Sequence, residues 1–365
     1  MQPPPVPPVP ALPIPARPVA TRREVLGLGA VFGLGTLLQG CAARATADAS
    51  LPLAAADTAP LKVFGNLDTL EFAPVLLAGA TREAGRIEIA QGGILSLFDK
   101  QGDLPNLKAS GRSHVATNSE TQGLRYSLDN PDLRIIFTIS EGVYRIIARR
   151  SAGIASLADL RGKRIGTMPK TSSAYYLHCM LNSVGVNDNE VRIEPFVSGT
   201  ARPLAMMKDA LLSGQLDAVT IWEPEMQRCA DALGADAISF FDAAAYREQF
   251  SLYSTRSNLA DPVLRPKIVS LVRSLMIASE QIRRDPREAI TLVAKAARLD
   301  LPSVERAWPH NTYPGTLLSN LLDTMVDEDV WVAKETGRAP RTHAQLAPLI
   351  DTSVLHEVLR PGLPS

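Results

Sequence analysis

The stretch "LADLRGKRIGTMPKTSSAYYLHCMLNSVGV", residues 157–186, decides the fold. Ser156-Leu157-Ala158-Asp159 has the form of a capping box that opens a short helix, and Gly162 closes it. An apolar strand follows, "KRIGTM", then the polar corner Pro169-Lys170-Thr171-Ser172-Ser173. A helix runs from about Ser172 to Val184 and is stopped by Gly185. Strand, hydroxyl-rich corner and helix in that order make an α/β unit, with the free amides of the helix start near the carboxyl end of the strand.

The same scheme extends in both directions. Downstream come a strand at 191–196, a helix with Leu204, Met207, Leu211 and Leu212 on one face, and the strand "LDAVTIW" running into Glu223-Pro224. A strand near "AISFF" leads out of this section, and from Asp261 the chain is mostly helical. Upstream, strands are predicted at 61–65, 86–93, 113–117, 133–140 and 144–150, with helices over 72–82 and to about Ser127. The alternation implies an α/β protein built on parallel βαβ units.

The 38 basic residues among 365 are balanced by 38 acidic ones, so the charge footprint of a nucleic-acid binder is missing. The body contains no twenty-residue apolar span and no repeat.

Residues 1–18 are dominated by proline and read as an extended leader. Arg22 and Arg23 then precede a mildly apolar run closed by Leu38-Gln39-Gly40-Cys41. The pattern resembles a twin-arginine export signal ending in a lipoprotein box, which implies lipidation at Cys41 and an extracytoplasmic domain tethered to a membrane only through that lipid. Gly27, Gly29 and Gly33 mimic part of a dinucleotide fingerprint, but their spacing is wrong and no strand precedes them. Cys179 and Cys229 can pair in an oxidising compartment or remain buried thiols.

Ligands of open α/β sheets collect beyond the carboxyl ends of strands. The loops there are Asn66 to Thr69, Gly92-Gly93, Thr117 to Ser119, Ser140-Glu141, Lys170 to Ser173 and Trp222-Glu223. Small, hydroxylic and amide-rich, they suit a small polar or anionic molecule bound without reaction. The five histidines are scattered, no metal-ligand spacing occurs, and neither a nucleophile elbow nor a phosphate loop is present, so no catalytic residue, metal or cofactor is assigned.

Residues 157–186, and with them "ALLSGQLDAVTIWEP" at 210–224, resemble the solute-binding proteins of ABC importers for nitrate, aliphatic sulfonates and taurine, a group that includes thiamine-precursor binders. The resemblance implies a type II periplasmic-binding fold: two α/β lobes with mixed, mainly parallel sheets, joined by two crossover strands, with solute between them. It implies a leader and signal over 1–41, a linker over 42–59, lobe 1 over 60–145 and 245–337, lobe 2 over 146–244 and a C-terminal tail over 338–365. At the family's binding positions stand Thr171, Ser172, Ser173, Trp222 and Glu223; loop position adds Asn66, Glu71, Gly93, Asn118 and Glu141. The implied partners are a small solute and a permease–ATPase complex. A sensor subunit for a membrane receptor and a pyrimidine-related enzyme of the same fold are the alternatives.

Overall fold

The computed structural model describes residues 59–81, 85–100, 111–196 and 203–360. The Pro-rich leader, Arg22 and Arg23, Cys41 and the linker up to residue 58 lie outside the described residues.

The chain enters through β1 (Leu61–Gly65), a single helical turn at Leu70–Phe72, and α1 (Ala73–Thr81). β2 (Ile87–Gln91), β3 (Val115–Asn118), α2 (Glu120–Tyr126) and the long β4 (Leu133–Gly142) follow. β5 (Arg145–Arg149) starts a second sheet, continued by β6 (Arg164–Thr167), α3 (Ser172–Ser183), β7 (Arg192–Pro195), α4 (Pro203–Leu212), β8 (Ala218–Ile221), α5 (Glu225–Leu233) and β9 (Ala237–Phe240). β10 (Glu248–Thr255) returns to the first sheet. Then come α6 (Arg256–Ala260), α7 (Leu264–Arg284), α8 (Arg287–Ala297), α9 (Leu301–Ala307), β11 (Asn311–Thr312), α10 (Leu321–Thr336), α11 (His343–Leu346) and α12 (Ser353–Leu359).

The first sheet has the order β11-β4-β10-β3-β1-β2 and the second β7-β6-β8-β5-β9. Each holds a parallel βαβ core, β2-β1-β3 in one and β7-β6-β8 in the other, as the alternating sequence pattern requires. The remaining strands pair antiparallel, because the chain passes between sheets at Val143-Tyr144 and again between β9 and β10, and each passage reverses strand direction. Antiparallel pairings therefore slightly outnumber parallel ones, and "mainly parallel" describes only the core of each lobe.

Two differences from the sequence reading matter for the site. β10, "EQFSLYST", is buried along its whole length between β3 and β4, although the sequence offered no strand there. Residues 338–360 are no loose tail: Val354 and Val358 join the core against α7, and Ile350 bridges Ile135 of β4. The first lobe's core packs α1 and α7 through Leu271, Val272, Leu275 and Val75, and the second lobe's packs α3 against β6 and β8 through Tyr176, Leu177 and Ile165. Cys179 and Cys229 are both free thiols.

Candidate functional site

The carboxyl ends of both parallel cores point into one cleft, where loop amides and small polar side chains stay unspent by the sheets. β1 must end in glycine: a Cβ on Gly65 would run into the Phe72 ring and the Thr117 hydroxyl. That close approach brings the Asn66–Phe72 segment over the end of β3. Gln91 fixes Asn66 by donating from Nε2 to its Oδ1 at 3.2 Å. In the second lobe Lys170 takes a left-handed conformation (φ 61°), which turns the chain from β6 into α3, and Gln122 of the first lobe donates to its carbonyl at 2.6 Å.

The cavity holds about 400 Å³ of space counting its open side. Asn66, Thr69, Glu71, Thr117, Asn118, Ser119, Gln122, Glu248 and Phe250 line it from the first lobe, Thr171, Ser172 and Trp222 from the second, and Tyr144 from the crossover. No lysine, arginine, histidine or cysteine lies among them. Among the described residues no group of three or more His, Cys, Asp or Glu side chains is placed to hold a metal.

Two buried carboxylates set the electrostatics. Both oxygens of Glu71 and Oε2 of Glu248 lack a hydrogen-bond partner. Burial pushes Glu71 up to about 7, and the charge of Glu223 adds to the effect. Its own backbone amide, Thr69 and Asn311 lie close enough to temper this, but none completes a hydrogen bond to the carboxylate. Burial, with the charges of Glu71 and Glu120, raises Glu248 well above the ordinary range. Its Oε1 accepts from Ser172 Oγ at 3.1 Å, and that hydroxyl lies 2.9 Å from the phenol of Tyr144. Behind it Glu120, also raised to about 7 by burial, accepts from Tyr246 Oη at 2.6 Å and from the amide of Gln249 at 3.0 Å. The unpartnered Nδ2 of Asn118 and hydroxyl of Thr117 supply donors from the β3 end.

Of the residues singled out in the sequence, Asn66, Glu71, Asn118, Thr171, Ser172 and Trp222 meet at the cavity. Ser173 does not: its hydroxyl donates to the Thr220 carbonyl at 2.8 Å, inside the second lobe. Glu223 faces away, where Arg145 Nε donates to its Oε1 at 2.6 Å and the Gln227 amide to its Oε2 at 3.1 Å. Gly93 precedes the turn at Ile94–Phe98 and accepts from Ser96, outside the lining. Glu141 sits on β4 beside Thr312, also outside it. Of the two tyrosines after the corner, Tyr176 packs into the second lobe's core, while Tyr175 meets Trp331 of the first lobe with ring centroids 5.4 Å apart and planes tilted by 52°. Tyr144, Gln122, Glu248 and Phe250 were not anticipated. An ionisable glutamate opening an otherwise buried strand is the signal that marks Glu248.

The sequence profile described as NMT1/THI5 like matches residues 97–289, just over half of the chain. A protein of Haemophilus influenzae, described as a candidate thiamine biosynthesis protein, is 24% identical over 212 residues; the match covers 56% of this chain and 64% of that protein's length. Three solved structures share the fold. The alkanesulfonate-binding protein SsuA of Xanthomonas axonopodis pv. citri bound to MOPS has a TM-score of 0.62 at 18% identity, over 82% of this chain and 100% of that one. The aliphatic sulphonate binding protein SsuA of Escherichia coli has a TM-score of 0.59 at 16% identity, over 77% and 89%. The desulfurization enzyme DSZB has a TM-score of 0.57 at 16% identity, over 82% and 99%. Two α/β lobes around a polar cleft are thus the periplasmic-binding-protein architecture, and the chain belongs to the NMT1/THI5-like family.

Proposed function

We propose that the protein is a solute-binding receptor whose cleft takes a flat heterocycle bearing amino or ring N–H groups, of the aminopyrimidine class. The observation that carries this is the pair Glu71 and Glu248: three buried acceptor oxygens without partners, in a cavity with no cationic side chain. Unpaired buried acceptors are costly, and a ligand that brings N–H donors relieves that cost. A nitrate or a simple alkanesulfonate brings no N–H donor to these oxygens, and either glutamate repels it once it loses the proton that burial makes it hold. Trp222, Phe250 and Tyr144 supply apolar walls that suit a planar ring. Asn118 Nδ2 and the Thr117 hydroxyl can meet a polar substituent at the other end. The thiamine-related name of the Haemophilus relative agrees with this chemistry, since thiamine contains an aminopyrimidine ring.

Delivery to a permease–ATPase importer outside the cytoplasmic membrane, with Cys41 as a lipid tether, completes the reading. It is supported by the signal-like N-terminal sequence and by the binding-protein names among the structural neighbours. No helix among the described residues is long and apolar enough to cross a membrane.

The test is a thermal-shift panel of aminopyrimidines, alkanesulfonates, taurine and nitrate on the purified domain. A rise in melting temperature with an aminopyrimidine and none with a sulfonate or nitrate is expected. The reverse pattern overturns the assignment.

A further inference from the structure

We propose that Asp231 and Arg306 form a latch between the lobes, and that Gln227, Glu223 and Arg145 tie this latch to the floor of the cleft. Arg306 on α9 belongs to the first lobe and Asp231 on α5 to the second. The guanidinium grips the carboxylate with two donors, Nη2 to Oδ2 at 2.7 Å and Nε to Oδ1 at 3.2 Å. A fork of this kind fixes orientation as well as distance. Ser303 on the same helix places its hydroxyl 3.3 Å from Asp231 Oδ2.

From Asp231 the bonding continues inward without a gap. Gln227 donates from Nε2 to Asp231 Oδ1 at 2.7 Å and accepts on Oε1 from Arg145 Nη2 at 3.0 Å. Its amide orientation is thereby fixed at both ends. The Gln227 backbone N–H and Arg145 Nε hold the two oxygens of Glu223, at 3.1 and 2.6 Å. Glu223 follows Trp222, a wall of the cavity, and its carbonyl accepts from Leu70 N–H at 3.4 Å, next to Glu71. A change in the cleft that moves Trp222 or Glu71 therefore reaches Asp231 through polar groups that cannot be left unpaired without cost. The acid of the Trp-Glu-Pro segment acts as the inner end of a positioning chain and does not touch solute.

Both latch side chains are partly exposed, so their pairing contributes little to folding. Its effect falls on the balance between open and closed lobes. The test compares wild type with Arg306→Ala, Asp231→Ala and Arg306→Lys, which keeps the cation and leaves Asp231 free to accept from Gln227. Small-angle scattering without added ligand gives the radius of gyration, thermal melting controls for folding, and calorimetry gives Kd for 4-amino-5-hydroxymethyl-2-methylpyrimidine. The alanine variants should enlarge the radius and weaken binding about two- to fivefold with nearly unchanged melting, and Arg306→Lys should recover part of both. Unchanged radius in the alanine variants, or a lysine variant no better than alanine, overturns the latch. The affinity arm rests on the solute reading above. If the probe fails on wild type, that reading falls and the scattering arm still decides the latch.

Discussion

Replacing Glu71 by glutamine should stabilise the ligand-free protein, and the gain should grow with pH. In the fold its carboxyl titrates at about 7, against an ordinary 4.5. Between these values the folded chain holds a proton that the unfolded chain has released, so stability falls as pH rises through the window. Below the window the carboxyl has no effect; above it the full loss is present. A rise from 4.5 to about 7 sets an upper limit of about 3 kcal/mol at pH 8 and about 1 kcal/mol at pH 5. Glutamine cannot ionise, and its amide adds only an offset that does not depend on pH. For a folded body of roughly 300 residues, the extra gain between pH 5 and pH 8 amounts to about 4 °C in melting temperature. Differential scanning calorimetry of both proteins at the two pH values reads it directly. A shift that is the same at both, or that shrinks at pH 8, refutes the claim that Glu71 is held as a destabilising carboxylate. The same substitution should weaken aminopyrimidine binding by at least tenfold, because a charge-assisted hydrogen bond is lost.

Ser172→Ala removes the hydroxyl that joins Glu248 to Tyr144, and should weaken binding about fivefold by calorimetry and cost about 1–3 kcal/mol in unfolding, because both buried groups lose their partner. Arg145→Met leaves Glu223 buried without its cation and should cost about 3–5 kcal/mol in denaturant unfolding. Adding Glu223→Met should recover much of that; a double variant as unstable as the single one contradicts the assignment. Gly65→Ala forces a methyl group against Phe72 and Thr117 and should lower stability by about 1–3 kcal/mol, with solute binding weakened as well.

What the sequence showed and what it concealed divide by range. The capping box at Ser156 and Asp159 forms as its spacing requires, the helix after the corner begins at Ser172, and its chain end is marked by Gly185, because each depends on neighbours a few residues away. The hydroxyl corner looked like three equivalent contacts. The structure separates them, since Ser173 is claimed by Thr220, 47 residues on. Glu223 read as a ligand contact for the same reason: Arg145, which occupies it, lies 78 residues upstream. β10 was missed because its buried positions include Glu248, Gln249, Ser251 and Ser254, which break the apolar run that marks a central strand. Glu248, Gln249 and Ser254 find their partners on α3, on α2 and α10, and in the segment before β3, and Ser251 bonds within β10 itself. Residues 338–360 were set apart as a tail because a four-residue helix and a seven-residue helix carry little periodicity of their own.

The most direct measurement is a calorimetric titration of wild type and Glu71→Gln, side by side, with 4-amino-5-hydroxymethyl-2-methylpyrimidine and with an alkanesulfonate. One pyrimidine bound per wild-type chain, at least tenfold weaker binding to Glu71→Gln, and no heat from the sulfonate is the outcome that follows from a carboxylate-lined cleft. Tight sulfonate binding that survives Glu71→Gln would contradict it.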